Sequence, residues 1–370
     1  MTHTGPFVLH VVQSGDGGGV QRHIRDLACG LPQMTAAVAV GTGGWLVRQL
    51  ESGGIHAILI PHLTRSLNPI RSSLASRELA SHIRQTGANV VHAHGVIALM
   101  AALTAVGDRP LLYTPHGFQW RDPSHSRLVR EISHLVHRAA LPRLTALIAV
   151  SDRDAADAAA CGTLPQRILQ IPNGVALPAQ VEGAREANLV GTAARLVPGK
   201  GIGTLLQLVQ AIPEMRLAVA GSGPSETALR QEATRLGVDA RVEWMGWQDN
   251  LDAFYRRIAV YVSLSAKEGL PYGVLDAMAA GLPVLASDIP GHRDLLQRTT
   301  PDLLVRLGDP DRLGITIRGL ISDARYAARC GDRNRDSVAA RFSLSAMLEA
   351  HATLYARSID LSVAGDAPLA

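Results

Sequence analysis

Short runs of Val, Ile, Leu and Ala, each bounded by Gly, Pro, Ser, His or Asn, alternate with longer segments of helical period along most of this chain. The first series reads "FVLHVV", "MTAAVAV", "IHAILI", "NVVHAH", "PLLYTPHG", "LTALIAVS" and "RILQIPNG". Continuous apolar runs of this length, separated by helix-length spacers, are what parallel strands buried on both faces require. The pattern breaks at "VALPAQVEGAREAN", a polar Pro/Gly/Ala stretch suited to a linker. It restarts with "LVGTAARL", "MRLAVAGSG", "RVEWMG", "IAVYVSLS", "LPVLASD" and "DLLVRLGD". The expected fold class is therefore α/β, with two doubly wound parallel sheets.

Length agrees with two domains, since 370 residues exceed the usual size of one core. We expect an amino-terminal domain over 1–175 and a carboxyl-terminal one over 186–342. A last amphipathic helix, about 343–360, carries Leu344, Met347, Leu348, His351, Leu354 and Tyr355 on one stripe and can pack back on the first domain. The tail "VAGDAPLA" is expected to fray. Two such sheets imply a cleft between them, with ligands at the carboxyl ends of the strands.

Composition excludes several classes. No stretch has the length of a membrane-spanning helix, and "FVLHVV" lacks the flanks of a signal peptide, so a cytoplasmic location is expected. Cys29, Cys161 and Cys330 are far apart, without the paired spacing of a zinc site or a disulfide framework. The net charge of +4 hides an asymmetry: through Gln180 there are fifteen Arg against ten Asp and Glu, and twelve of the fourteen His. That half could face an anionic partner. The only lysines are Lys200 and Lys267, and both fall in segments that stand out on other grounds.

Four segments of the second half carry candidate chemistry. "AARLVPGKG" ends a strand and opens a helix at Gly201, which sets Arg195 and Lys200 beside helix N-terminal amides, as a diphosphate would need. "AGSGPSETALR" also ends a strand, and Gly221 and Gly223 allow close approach of a ligand to the backbone. "EWMGWQDNLDAFY" closes a strand at Gly246, where a nucleobase could rest, and Asp249 or Asn250 can cap the next helix. In "SAKEGLPYGVLDAMAAG", Glu268 lies in a loop with Gly269, Leu270 and Pro271, and Asp276 lies about one turn into a helix stopped by Gly281. Two carboxylates eight residues apart suit two diols of one ligand better than a single metal. The plainer alternative pairs Glu268 with Lys267 in water.

These segments resemble the retaining glycosyltransferases of the GT-B fold, family 4. The resemblance runs from "GGGVQRH" to the final helices, and its most specific parts are "RLVPGKG", "GSGP" and "EGLPYGVLDAMAAGLPVLASDIPG". It implies two Rossmann-like domains facing a cleft. By resemblance, Glu268 contacts the transferred sugar, Asp276 the ribose, and Arg195 and Lys200 the diphosphate. The family usually has a second glutamate where Asp276 stands, a departure that bears on donor affinity more than on reaction class. Gly17, Gly18 and Gly19 of "QSGDGGGVQRH" would let a loop approach the donor. His116 matches a family histidine near the transferred sugar. His92 and His94 are weaker candidates, because histidines at strand ends are often satisfied by backbone alone. Ser151 should cap the helix after "LTALIAV", and Ala176 stands where the family's Asn-Gly turn often continues with Asp.

The implied activity is retaining transfer of a hexose from a UDP- or GDP-sugar donor to a glycan or lipid-linked acceptor, in surface polysaccharide, exopolysaccharide or glycolipid biosynthesis. Arg195 and Lys200 would neutralise the leaving diphosphate. No cofactor, metal or nucleic acid is expected: "DRD" at Asp152 to Asp154 mimics a metal motif, but first-turn acids on a helix favour its dipole. Arg- and His-rich segments between Arg65 and Arg143 could rest on an anionic membrane, or simply be solvated. Rival readings are a GT-B epimerase or hydrolase and a non-catalytic nucleotide-sugar binder. An oxidoreductase is disfavoured, since neither half opens with Gly-x-Gly-x-x-Gly and a following acid.

Overall fold

The computed structural model describes residues 6–64, 69–121, 126–179 and 185–364. The chain divides into two compact units, Met1–Asn173 with Ser345–Ala370, and Gly174–Leu344. Each contains one parallel sheet.

The first unit's strands are β1 (Phe7–Val12), β2 (Thr35–Val40), β3 (His56–Leu59), β4 (Val90–His94), β5 (Leu111–Thr114), β6 (Ala146–Ala149) and β7 (Ile168–Gln170). Among the described residues they form a seven-stranded sheet in the order β3-β2-β1-β4-β5-β6-β7. Each falls within one of the apolar runs read from the sequence. Alternation along the strands divides the core between two faces. Leu9, Val11, Ala37, Ala39, Val91 and Ala93 pack with Leu79, Ile83 and Leu99 of the helices Pro69–Thr86 and Val96–Ala105. Val12, Val38 and Val40 meet Ile24, Leu46 and Leu50 of the helices Gly19–Gly30 and Trp45–Ser52 on the other face. Each fully buried Leu or Ile contributes about 1.5–3 kcal/mol relative to an exposed one.

The second unit holds β8 (Glu186–Ala193), β9 (Arg216–Ala220), β10 (Val242–Gly246), β11 (Ile258–Ser263), β12 (Val284–Ser287) and β13 (Leu304–Val305). Their order is β10-β9-β8-β11-β12-β13, all parallel. Val190, Leu217, Val219, Val260, Val262 and Leu285 meet Leu205, Leu206, Val209, Leu313 and Ile317 in its core. In both sheets the strand order reverses beside the unit's first strand, between β1 and β4 and between β8 and β11. Such a reversal leaves a crevice at the strands' carboxyl ends, where open α/β sheets bind ligands.

Part of the expected linker, residues 180–184, lies outside the described residues. On its amino side, Val175 donates its N–H to Phe342, and Leu344 donates its own to Val175, through an isolated parallel bridge of Val175 with Ser343. The chain then enters the helix Leu344–Ala364, on which Met347, His351, Leu354, Tyr355 and Ser358 are buried. Tyr355 Oη lies 2.8 Å from Nδ1 of His92 on β4, so this helix is part of the first unit's interior. The tail from 365 lies outside the described residues.

Candidate active site

The four segments singled out in the second half follow β8, β9, β10 and β11, which are neighbours in the sheet. Their loops therefore emerge side by side, and backbone contacts fasten them to one another. Leu196 donates its N–H to Ser222 and accepts one from Ser225, and Gly221 donates to Gly246 at 2.7 Å. These approaches are too close for side chains: a Cβ on Gly221 would lie 2.0 Å from the carbonyl oxygen of Ala194, and one on Gly223 2.3 Å from that of Leu196. Glycine is dictated here by loop-to-loop packing. Gly246 closes β10 with φ +65°.

Gly201, with φ +72°, is the N-cap of the helix Ile202–Ala211, as its place in "PGKG" leads one to expect. Ala266 donates its N–H to Gly199 at 2.8 Å, which brings the turn after β8 against the loop after β11. There Lys200 Nζ donates to Glu268 Oε1 at 2.5 Å, a charge-assisted contact between residues 68 positions apart. Both side chains are mostly buried. The partner of Glu268 is thus Lys200, from the other side of the crevice, where the plainer alternative named Lys267. Arg195 is exposed at the carboxyl end of β8.

Gly269 is half-buried, Leu270 buried, and Pro271 the N-cap of the helix Tyr272–Ala279, with its φ of −75° preset by the ring. Asp276 is half-buried on that helix, one turn in, as expected. Gly281, at φ +67°, follows its end. Asn250 accepts the Asp252 N–H at 2.6 Å at the start of the helix Asp252–Arg257, whereas Asp249 accepts from the Trp247 indole at 2.8 Å.

Two residues at this site were not singled out from the sequence. Tyr261 is buried on β11 and donates to the Ala193 carbonyl at the end of β8, at 3.1 Å, tying together the two strands that flank the reversal. Burial raises its pKa, the Ala193 bond partly offsets this, and the charges of Glu268 and Asp276 raise it further. One phenol thus senses both candidate carboxylates. His292 is buried with Nδ1 2.8 Å from the Ser287 carbonyl and Nε2 3.2 Å from Ser263 Oγ. Burial lowers its pKa, against the Ser287 carbonyl and the Glu268 charge; Lys200 lowers it too. A Cβ on the preceding Gly291 would meet the Gly269 carbonyl at 2.0 Å, so this turn supports the Glu268 loop from below. An apolar strand with one Tyr, and a lone His after a Gly, read as ordinary core until the strand order is known.

In the first unit, the Gly-rich loop after β1 leads into the helix Gly19–Gly30. Gly17 precedes it, Gly18 is its N-cap in extended backbone, and Gly19 is its first residue. Ser151 caps the helix Asp152–Ala160, accepting the Asp154 N–H at 3.1 Å, and Asp152 and Asp154 occupy its first turn. His116 follows β5 and is the one non-glycine among the described residues with positive φ, +53°.

His116 does not stand alone. His10 on β1 lies opposite His92 on β4 in the sheet register, and His94 lies opposite Thr114. His10 Nδ1 is 3.1 Å from His94 Nε2, and His94 Nδ1 is 3.1 Å from His116 Nε2. His92 Nε2 is 2.8 Å from Thr114 Oγ1. His23 stacks edge-on to His116 with ring centroids 4.9 Å apart, and lies 5.4 Å from His351. The partners of His92 and His94, the weaker candidates, are side chains of β1, β5, the turn after β5 and the last helix, not backbone groups. Burial lowers the pKa of every ring in this nest, to about 4 for His351 against the opposing pull of its Met347 carbonyl bond, and neighbouring rings lower the other five further, to about 3 for His10 and His116.

Comparison with known proteins places this geometry. Residues 17–177 match the model of "Glycosyltransferase Family 4", and residues 177–337 that of "Glycosyl transferases group 1". The lipopolysaccharide core biosynthesis glycosyltransferase LpsE of Rhizobium meliloti (strain 1021) is 29% identical over 178 residues, 48% of this chain and 52% of that protein. The UDP-Gal:alpha-D-GlcNAc-diphosphoundecaprenol alpha-1,3-galactosyltransferase of Escherichia coli is 24% identical over 282 residues, 70% of this chain and 72% of that one. The chain spans about half the length of the first curated relatives it matches. Among solved structures, Anabaena Alr3699/HepE in complex with UDP-glucose superposes with a TM-score of 0.81 at 20% identity, over 95% of this chain and 99% of that one. That likeness bears on the fold.

Proposed function

The chain belongs to glycosyltransferase family 4 and has the GT-B fold, and we propose on that basis that it transfers a hexose, with retention, from a UDP- or GDP-sugar to a lipid-linked glycan acceptor. The observation that carries this reading is the Lys200–Glu268 contact at the strand-order reversal of the second unit, framed by turns only glycine can occupy. An ammonium beside helix N-terminal amides suits a diphosphate, and a carboxylate beside it suits sugar hydroxyls.

In this reading Lys200 and the exposed Arg195 neutralise charge developing on the departing diphosphate, so that no metal is needed for that step. Glu268 accepts hydrogen bonds from the sugar, and Asp276 from the ribose diol. The acceptor hydroxyl attacks from the leaving-group face, which preserves the anomeric configuration. Tyr261 and His292 hold the two strands and the Glu268 loop in register.

A lipid-linked acceptor in surface polysaccharide biosynthesis is supported by the relatives' names. It also suits the helix Arg127–Ala140, which exposes Leu128 and Leu135, each about two-thirds accessible, beside Arg130 and Arg138; Glu131 on that helix pairs with Arg127. The upstream basic stretch lies partly outside the described residues, at 65–68 and 122–125. Among the described residues no helix is long and apolar enough to cross a membrane, so the proposal is peripheral association. Binding to anionic liposomes should fall with added salt; no binding at low salt would remove this part of the reading.

The test is nucleotide release from a panel of UDP-, GDP- and other nucleotide-activated sugars, without acceptor and then with lipid-extract acceptors. Slow release from one donor that accelerates with lipid acceptor is expected, with the donor's anomeric configuration kept in the product. Fast acceptor-independent turnover would favour an epimerase or hydrolase, and binding without turnover would reduce the chain to a nucleotide-sugar binder.

A further inference from the structure

The histidine nest of the first unit brings six rings together, from β1, the helix Gly19–Gly30, β4, the turn after β5 and the helix Leu344–Ala364. A core that needed only filling would use apolar side chains at these positions, because each buried imidazole brings a donor and an acceptor that must be satisfied. Two overlapping triads, His10–His92–His94 and His23–His94–His116, each offer one ring nitrogen per residue with all three nitrogens within 4.8 Å of one another.

We propose that His23, His94 and His116 form a binding site for one divalent transition-metal ion, with zinc the natural occupant by ligand type. Tetrahedral zinc holds imidazole nitrogens at about 2.0–2.1 Å, so that neighbouring ligand atoms stand about 3.3 Å apart. His94 Nδ1 and His116 Nε2, at 3.1 Å, already form such an edge. The other nitrogen of His94 supplies the orienting contact that metal-bound histidines have: as an N–H, Nε2 donates to His10 Nδ1 at 3.1 Å and leaves the Nδ1 lone pair to face the ion. On binding, the His116 proton moves to its own Nδ1 and frees the Nε2 lone pair, with no net proton released.

The competing triad is less suited. His92 already commits Nδ1 to Tyr355 and Nε2 to Thr114, and ligation would break one of those buried bonds. His116, in contrast, is half-buried and gives the ion a way in from solvent. Its backbone at φ +53° is a conformation that non-glycine residues pay about 1 kcal/mol or more to hold. His351 adds an independent sign: its Nδ1 donates to the Met347 carbonyl at 2.8 Å, and its buried Nε2 has no hydrogen-bond partner. That ring lies beside the triad, its centroid 5.4 Å from that of His23. All-nitrogen ligation favours zinc, copper or nickel over magnesium and calcium.

The test uses the full chain, stripped of metal with a chelator, and needs no transfer activity, so it stands or falls separately from the proposed reaction. Cobalt(II) is titrated while the visible ligand-field bands are recorded, and zinc is titrated by calorimetry. Expected are one ion per chain, a tetrahedral cobalt spectrum displaced by zinc, and at least tenfold weaker binding in His116→Ala and His94→Gln. The exposed His56→Ala should bind like the wild type. Wild-type protein that shows neither a tetrahedral cobalt spectrum nor a zinc heat would overturn the proposal, as would wild-type affinity in folded His116→Ala. The wild-type titration decides the matter even if His94→Gln fails to fold.

Discussion

The two units wind their sheets in the same order and place a crevice at the same topological point, yet they furnish it with opposite chemistry. Between β8 and β11 the loops bring a lysine and a glutamate into contact, on turns where glycine is the only residue that fits. Beside β1 and β4 the corresponding region holds imidazoles kept uncharged by burial. A shared topology thus supplies a position for function, while the side chains at the strand ends decide what that position can do. Fixed charges suit a charged leaving group; neutral lone pairs suit a soft cation or a hydrogen-bond network.

The sharpest way to break this contrast is to remove charge from the second unit. Lys200→Ala and Glu268→Ala should each lower the transfer rate by about 10²–10³, about 3–4 kcal/mol in the barrier, if these groups act on the reacting sugar and leaving group. Steady-state rates at saturating donor measure this. A loss confined to donor KM would instead assign them to ground-state binding.

The next largest effect concerns the loops. Gly201→Ala puts a Cβ 2.4 Å from the Leu264 carbonyl at a φ of +72°, so the second unit should lose about 2–4 kcal/mol of stability. Trp244 and Trp247 report on that unit and Trp45 and Trp120 on the first. Denaturant unfolding with one pair replaced by Phe should show the second transition moved and the first unchanged.

Acid should act mainly on the other side of the comparison. Burial pushes His137 down to about 4, which the Ser133 carbonyl partly offsets and His134 reinforces. Its folded pKa is below its unfolded one, so the unfolded chain binds the proton first, and stability falls as pH drops from about 6.5 towards 4. This ring alone costs about 2 kcal/mol between pH 7 and 4.5, and the six-ring nest acts in the same direction. In Trp244→Phe/Trp247→Phe protein, the Trp45 and Trp120 signal should show that loss; a first unit as stable at pH 4.5 as at pH 7 would contradict it. The smallest expected effect is at Asp276: Asp276→Ala should raise donor KM about five- to tenfold, and Asp276→Glu should come close to the wild type, because both acids can accept from a diol.

Much of this was legible in the chain alone. Twelve of the thirteen described strands fall within the apolar runs, since strands buried on both faces leave a nearly continuous signature, whereas β8 begins at Glu186, inside the polar stretch expected as a linker. Gly201 and Gly246 stand out in the sequence as the helix start and the strand end they occupy, and Gly221 and Gly223 for the close approach of a ligand, whereas the packing of the loop after β9 against Ala194 and Leu196 is visible only in the fold. The partner of Glu268 was hidden, because Lys267 is adjacent in sequence and Lys200 becomes adjacent only through the β8–β11 pairing. The histidine nest was hidden for the same reason. Its members lie at positions 10, 23, 92, 94, 116 and 351, and no spacing rule joins them before the sheet register sets His10 beside His92 and the last helix returns with His351. Tyr261 and His292 carry ordinary core signatures, and only the strand order reveals that they support the Glu268 loop.

The central claim is that the second unit's Lys200–Glu268 pair acts on a nucleotide-sugar donor. Its most direct test is acceptor-stimulated nucleotide release at saturating donor, wild type against Glu268→Ala, with both proteins shown to be folded by their tryptophan signals. The account predicts that lipid acceptor accelerates release in the wild type and that this acceleration is lost in the variant. Full acceptor-dependent transfer by Glu268→Ala would contradict it.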